Sequence, residues 1–182
     1  MKDGFGATPL PITFLGLTIA TTIYAGLETG VLPKADFHTI GWLVLAIPVP
    51  MQFVPSVWGW IRGELAAATA SAVLGATWLA LALATITGPA AAPGPSKAES
   101  LLLFAAAAAL VVSIATEVVD GKLVTAAVFV VAACRFALTG VSGLTHAPGW
   151  TTTAGVAGFV LAGIAFAGAF ILELRSALSH RR

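Results

Sequence analysis

Asparagine is absent from this chain, and glutamine, tyrosine and cysteine occur once each. Charged residues make up only 9% of it, against about a quarter in a soluble domain. The single cysteine, Cys134, excludes an intramolecular disulfide, and its apolar neighbours make it read as a small hydrophobe. The three histidines, His38, His146 and His180, lie far apart, and no His, Cys or carboxylate cluster has metal-ligand spacing. No nucleophile elbow, phosphate-binding loop or dinucleotide fingerprint occurs. Neither an enzyme nor a bound metal or cofactor is therefore expected.

What the chain has instead is apolar length. Apolar residues are 58% of the sequence and fall into six stretches long enough to cross a bilayer. In hydrocarbon every backbone polar group needs an internal partner, which leaves helices or a closed barrel. Barrel strands alternate over about ten residues, and these runs are longer and continuously apolar. The expected fold is all-α: a polytopic, compact bundle of six transmembrane helices joined by short loops, in one domain over residues 1–182. The spans are placed at about residues 10–27, 40–61, 65–86, 101–119, 123–141 and 150–174. Six spans of about 20 residues use about 120 of the 182, which leaves no room for a soluble catalytic or nucleic-acid-binding module. Near Lys2, Asp3 and Gly4 no small-residue cleavage site ends a short apolar core, so the first span is expected to be retained.

An even number of spans puts both ends on one side, with Lys2, Arg62, Lys122, Arg175, Arg181 and Arg182. The other side holds Lys34 and Lys97. The excess of basic residues predicts cytoplasmic termini in the inner membrane. Trp42, Trp58, Trp60 and Trp150 lie near span ends, where indoles anchor to headgroups. Pro48, Pro50 and Pro55 in the second span predict a kinked helix, either pore-lining or a device of packing. Ala154, Gly158 and Ala162, with Gly155, Gly163 and Gly168, mark the sixth span for close helix contact, within the bundle or between subunits.

Ionisable and amide groups at membrane depth are the candidate sites. Arg135 lies 13 positions after Lys122, or roughly 20 Å along a helix. It can pair with Glu28 at the end of the first span, snorkel to headgroups or a subunit contact, or concentrate an anion at a pore mouth. Glu117 and Glu173 are expected at the interface, paired with Lys122 and Arg175. Thr18 and Thr21 share a helix face and either line a polar path or bond their own backbone. Gln52 needs a partner in lipid, either a substrate or a neighbouring helix.

These residues stand in an order that resembles the acetate uptake transporter family. The match runs through Pro9-Leu10, Gly16-Leu17-Thr18, Gln52-Phe53, Gly59-Trp60-Ile61-Arg62-Gly63-Glu64 and Gly75-Ala76-Thr77-Trp78, with Gly149-Trp150 later. The family opens its first span with Asn-Pro-Ala-Pro-Leu-Gly-Leu. Here the stretch is Gly6-Ala7-Thr8-Pro9-Leu10-Pro11-Ile12, without the asparagine. The family's asparagine near the end of the fifth span is also missing, around Thr139-Gly140. The resemblance implies a transporter or channel for a small monocarboxylate such as acetate, with or without proton coupling. It implies a homo-oligomer, a hexamer, embedded in lipid, with one path per subunit. It places a narrow point at Leu15 and Leu74, with Thr18, Gln52 and Trp78 along the path. Arg135 has no counterpart in the family pattern. The alternatives are a channel for a small neutral solute and a non-transporting subunit of a membrane complex.

Overall fold

The computed structural model describes residues 8–90 and 94–179. Gly6, Ala7, Lys2, Asp3, Gly4, residues 91–93, His180, Arg181 and Arg182 lie outside the described residues. Helices are α1 Leu10–Thr29, α2 Phe37–Ala46, α3 Pro48–Arg62, α4 Leu65–Thr87, α5 Lys97–Val119, α6 Leu123–Thr145 and α7 Pro148–Ser179, and no strand occurs among the described residues. A 3-10 turn, Lys34–Asp36, precedes α2 and joins with α2 and α3 in one of six candidate spans.

That second span is kinked at Ile47, whose φ of −116° and ψ of −69° distort the right-handed turn. The Ile47 N–H still donates to the Leu43 carbonyl (3.1 Å) and its carbonyl accepts from Met51 N (3.3 Å), and α3 begins on Pro48. Proline disfavours helical geometry in the residue before it, and Pro48 and Pro50 have no N–H for the Val44 and Ala46 carbonyls. In the first turn of a new helix those missing donors cost nothing, so the chain restarts there. Pro55 stays inside α3.

Three α-helix ends differ by four residues or more from the spans read from hydropathy, one being that of the last helix, which runs on from 174 to Ser179. The helix placed at 101 starts at Lys97, because Ser96 and Glu99 form a reciprocal cap: Glu99 N donates to Ser96 Oγ (3.2 Å) and Ser96 N to Glu99 Oε2 (2.7 Å). The helix placed to 141 continues to Thr145 and stops where His146 takes left-handed geometry, φ +51°.

The first and last helices, α1 and α7, share the most extensive packing, followed by α5 on α6 and α3 on α4. The small residues of α7 make the α1 contact possible. A Cβ at Gly155 would stand 2.6 Å from Thr29 Cγ2, and one at Gly168 3.1 Å from Phe14. Gly163 faces open space. The small-residue stripe thus serves packing within the bundle. Phe14, Leu17, Leu74, Leu110, Phe129 and Leu161 fill the centre, with Phe14 edge-on to Phe129 at 5.9 Å. The exterior is apolar, with Val111, Val112, Phe166 and Phe170 exposed, as a lipid-facing surface requires. Trp42, Trp58, Trp60 and Trp150 are exposed near helix ends, and Cys134 is exposed on α6.

The helices alternate in direction, so the bundle has two polar ends. Thr8, Glu64, Lys122 and Arg175 gather at the near end, where the described chain begins and finishes. Thr8 Oγ1 donates to Glu64 Oε2 (2.8 Å), and Arg62 Nε to Glu64 Oε1 (2.8 Å). Glu28, Thr85, Glu99 and Thr139 gather at the far end.

Candidate functional site

The far end opens into a cavity of about 80 Å³ between α1, α4, α5 and α6. Along each helix the residues deepest in it are Tyr24, Trp78, Leu103 and the adjacent Arg135 and Phe136, which form its floor. Tyr24 stacks on Trp78 (5.6 Å, 18°), and Phe136 meets Trp78 edge-on (5.6 Å, 70°). One turn deeper, Leu74 and Leu17 are fully buried. The walls are mostly apolar, so a charged occupant has few places to find a partner.

One such place is Arg135. Its Nη2 donates to Glu28 Oε2 at 2.8 Å, and the side chains are 3% and 13% exposed. The pair joins α6 to the last turn of α1, 107 positions away in sequence. Gly158 of α7 makes room for it, since a Cβ there would stand 2.9 Å from Arg135 Nε. Arg135 Nε, turned toward Gly158, and Trp78 Nε1 are buried without an acceptor. The second carboxylate of the cavity, Glu99, is engaged by the α5 cap. On the opposite wall Tyr24 Oη and Thr85 Oγ1 share a hydrogen bond (2.9 Å), and His38 Nδ1 lies 3.1 Å from the Thr85 carbonyl.

The residues singled out from sequence fall in three places. Trp78, Arg135 and Glu28 meet at the cavity. Leu74 is in the core, and Leu15 is half-buried against it. Thr18 donates to the Phe14 carbonyl (2.9 Å) and the Ala162 carbonyl (3.3 Å), and Thr21 to the Leu17 carbonyl (2.8 Å), so both hydroxyls are engaged by backbone. Gln52 is fully buried on the near side of Leu74, and its Nε2 donates to the Thr13 carbonyl (2.9 Å). A Cβ at Gly16 would be 2.9 Å from Met51 Cβ, and one at Gly75 3.1 Å from Gln52 Cβ, so α3 is clasped between α1 and α4 here. Gln52 Oε1 has no partner. Gln52→Leu therefore removes one interhelical hydrogen bond and one unpaired acceptor together. Its expected cost is about 0.5–1 kcal/mol, measured by unfolding in detergent micelles. A loss several times larger would mean that the amide holds more than Thr13.

Near the other end, Glu117 is not interfacial as expected but fully buried. Its Oε2 lies 3.9 Å from Lys122 Nζ, and neither oxygen has a hydrogen bond. The cause is helical periodicity: Glu117 falls on the same α5 face as the buried Leu103, Ala106, Leu110 and Ser113, while the Lys122 N–H caps its carbonyl (2.8 Å). Glu173 lines a groove with Phe53 and Trp58, while Arg175 lines a recess with Lys122 and Glu64.

Among the described residues no group of three or more His, Cys, Asp or Glu could hold a metal ion. The cavity residues that sequence reading passed over include Glu99, Leu103 and Phe136. Ser96-x-x-Glu99 is a readable helix start. Thr139 stands where the family resemblance places a missing asparagine, and nothing in the sequence singles out Leu103 or Phe136.

No protein-family model matches the sequence, and no curated protein matches it. Among solved structures the fold is similar to that of the bacterial acetate channel SatP, with a TM-score of 0.72 and 18% identity, covering 90% of each chain. Over 90% of its length the chain, with its six candidate spans, shares the fold of that acetate channel.

Proposed function

We propose that this protein is a transmembrane channel or transporter for a small monocarboxylate such as acetate. The observation that carries the reading is a buried guanidinium at the floor of a small apolar cavity, in a fold shared with an acetate channel. A carboxylate entering such a cavity loses water and needs fixed donors in return. Arg135 supplies them, while Tyr24, Trp78, Leu103 and Phe136 suit a short alkyl group. Below the floor the permeant meets the apolar level of Leu17 and Leu74, then the Thr13, Ser71 and Gln52 cluster, where Thr13 Oγ1 and Ser71 Oγ are 2.8 Å apart. Leu15 and Thr18 belong to the path if α1 turns during transport.

In this reading the chain is a homo-oligomer with one path per subunit, in the inner membrane with its near end cytoplasmic. The near end carries Arg62, Lys122 and Arg175 and the far end Lys34 and Lys97, the bias that sets orientation. A second reading, a channel for a small neutral solute, is favoured by one observation: Glu28 already neutralises Arg135.

The test is labelled acetate uptake into proteoliposomes, with and without a pH gradient, after subtraction of acid entry into empty vesicles. Saturable uptake is expected, and its dependence on the gradient decides proton coupling. No uptake by folded protein, with acetamide flux present, would replace this reading by the neutral-solute one.

A further inference from the structure

We propose that Glu28 is a built-in stand-in for the permeant's carboxylate: an incoming monocarboxylate takes its place on Arg135, and Glu28 swings to the cavity mouth. The inference deepens the transport reading and rests on it for the identity of the ligand.

Four observations support the exchange. The pair lines the cavity, so an arriving anion meets the very bond that holds Arg135. Of the two partners Glu28 is the more exposed, at 13% against 3%. Glu28 also lies in the last turn of α1, two residues before the left-handed Gly30 that ends it. A carboxylate there faces the negative end of the helix macrodipole, so its hold is weaker than its geometry suggests. Arg135, by contrast, is mid-helix in α6 and seated against Gly158. Finally, the Glu28 bond engages a single nitrogen of Arg135, Nη2. A free carboxylate, not tethered to α1, can turn to pair with the guanidinium at two points. Glu99 is held in the α5 cap and leaves Glu28 as the competitor.

The exchange has a clear chemical test, because removing the competitor should improve binding. Equilibrium binding of labelled acetate is measured on purified full-length protein, as wild type, Glu28→Ala and Arg135→Gln. Glu28→Ala is expected to bind acetate roughly tenfold more tightly than wild type, as loss of a charge-assisted competitor implies. Arg135→Gln is expected to lose binding. Acetate should also raise the melting temperature of Glu28→Ala by more than that of wild type, since a ligand stabilises the state it binds. If Glu28→Ala does not stay folded, Glu28→Gln is read in the same way, and recovery of folded Glu28→Ala on adding acetate counts for the exchange. Binding by both Glu28 variants that is no tighter than wild type overturns it, as does unchanged binding by Arg135→Gln or no binding by any form. Tighter binding without flux into vesicles would leave the exchange standing and remove the transport reading. Flux without tighter binding would do the reverse.

Discussion

Glu28→Met is expected to destabilise the ligand-free protein by about 3–5 kcal/mol, and the double change Glu28→Met with Arg135→Met to recover most of that loss. The asymmetry follows from burial. With the glutamate gone, the Arg135 guanidinium, 3% exposed and fixed mid-helix in α6, remains in an apolar cavity without its 2.8 Å partner. Its desolvation is then uncompensated. When both partners become methionine, the space fills with flexible apolar chains and no charge is stranded. The measurement is a double-mutant cycle of unfolding free energy in mixed micelles. Additive losses would mean that the pair acts on the surface and that Gly158 does not seat the arginine. In binding the two changes part company: the double variant folds but holds no carboxylate.

Trp78→Ala carries the other large effect, an expected loss of about 3–5 kcal/mol, with acceptance of bulkier carboxylates. Trp78 is fully buried and packed between the Tyr24 ring face and the Phe136 edge. Truncation leaves a void continuous with the cavity floor. Trp78→Phe is expected to cost much less, because Trp78 Nε1 has no acceptor and no hydrogen bond is lost. Unfolding in micelles measures the first effect, and competition by butyrate and benzoate against labelled acetate measures the second. A phenylalanine variant as unstable as the alanine one would show that the indole N–H, rather than ring packing, holds the floor.

Both expectations depend on residues that are legible in the sequence to different degrees. The spans were visible because a residue's transfer into lipid depends on its own polarity, which a window along the chain sums directly. Missed helix ends had local causes. The α5 start lay in Ser96 and Glu99, a signal independent of hydropathy. The stop at His146 lay in the turn His146-Ala147-Pro148-Gly149, which hydropathy does not weigh, and histidine is among the non-glycine residues that adopt left-handed geometry more often. In the second span three prolines announced an interruption, and its position at Ile47 follows from which carbonyls lose donors. Arg135 stood out because a charge in an apolar run is costly, yet its partner was one of three open alternatives. Gln52, Trp78 and Thr139 stand out through the family resemblance, while Leu103 and Phe136 look like any other helix residues.

The sequence by itself determined that this is a lipid-embedded helical bundle, how many times it crosses, and which few polar groups must answer for their depth. Those are properties of single residues and of neighbours along the chain. Tertiary structure decided which helices touch and therefore what each polar group meets: Arg135 beside Glu28, Gln52 beside the Thr13 carbonyl, Glu117 on the buried face of α5. Apolar helices in lipid have no hydrophobic face to declare their neighbours. Their contacts are chosen by the shape of small residues such as Gly158 and by a handful of buried polar bonds, quantities that exist only once the helices are side by side.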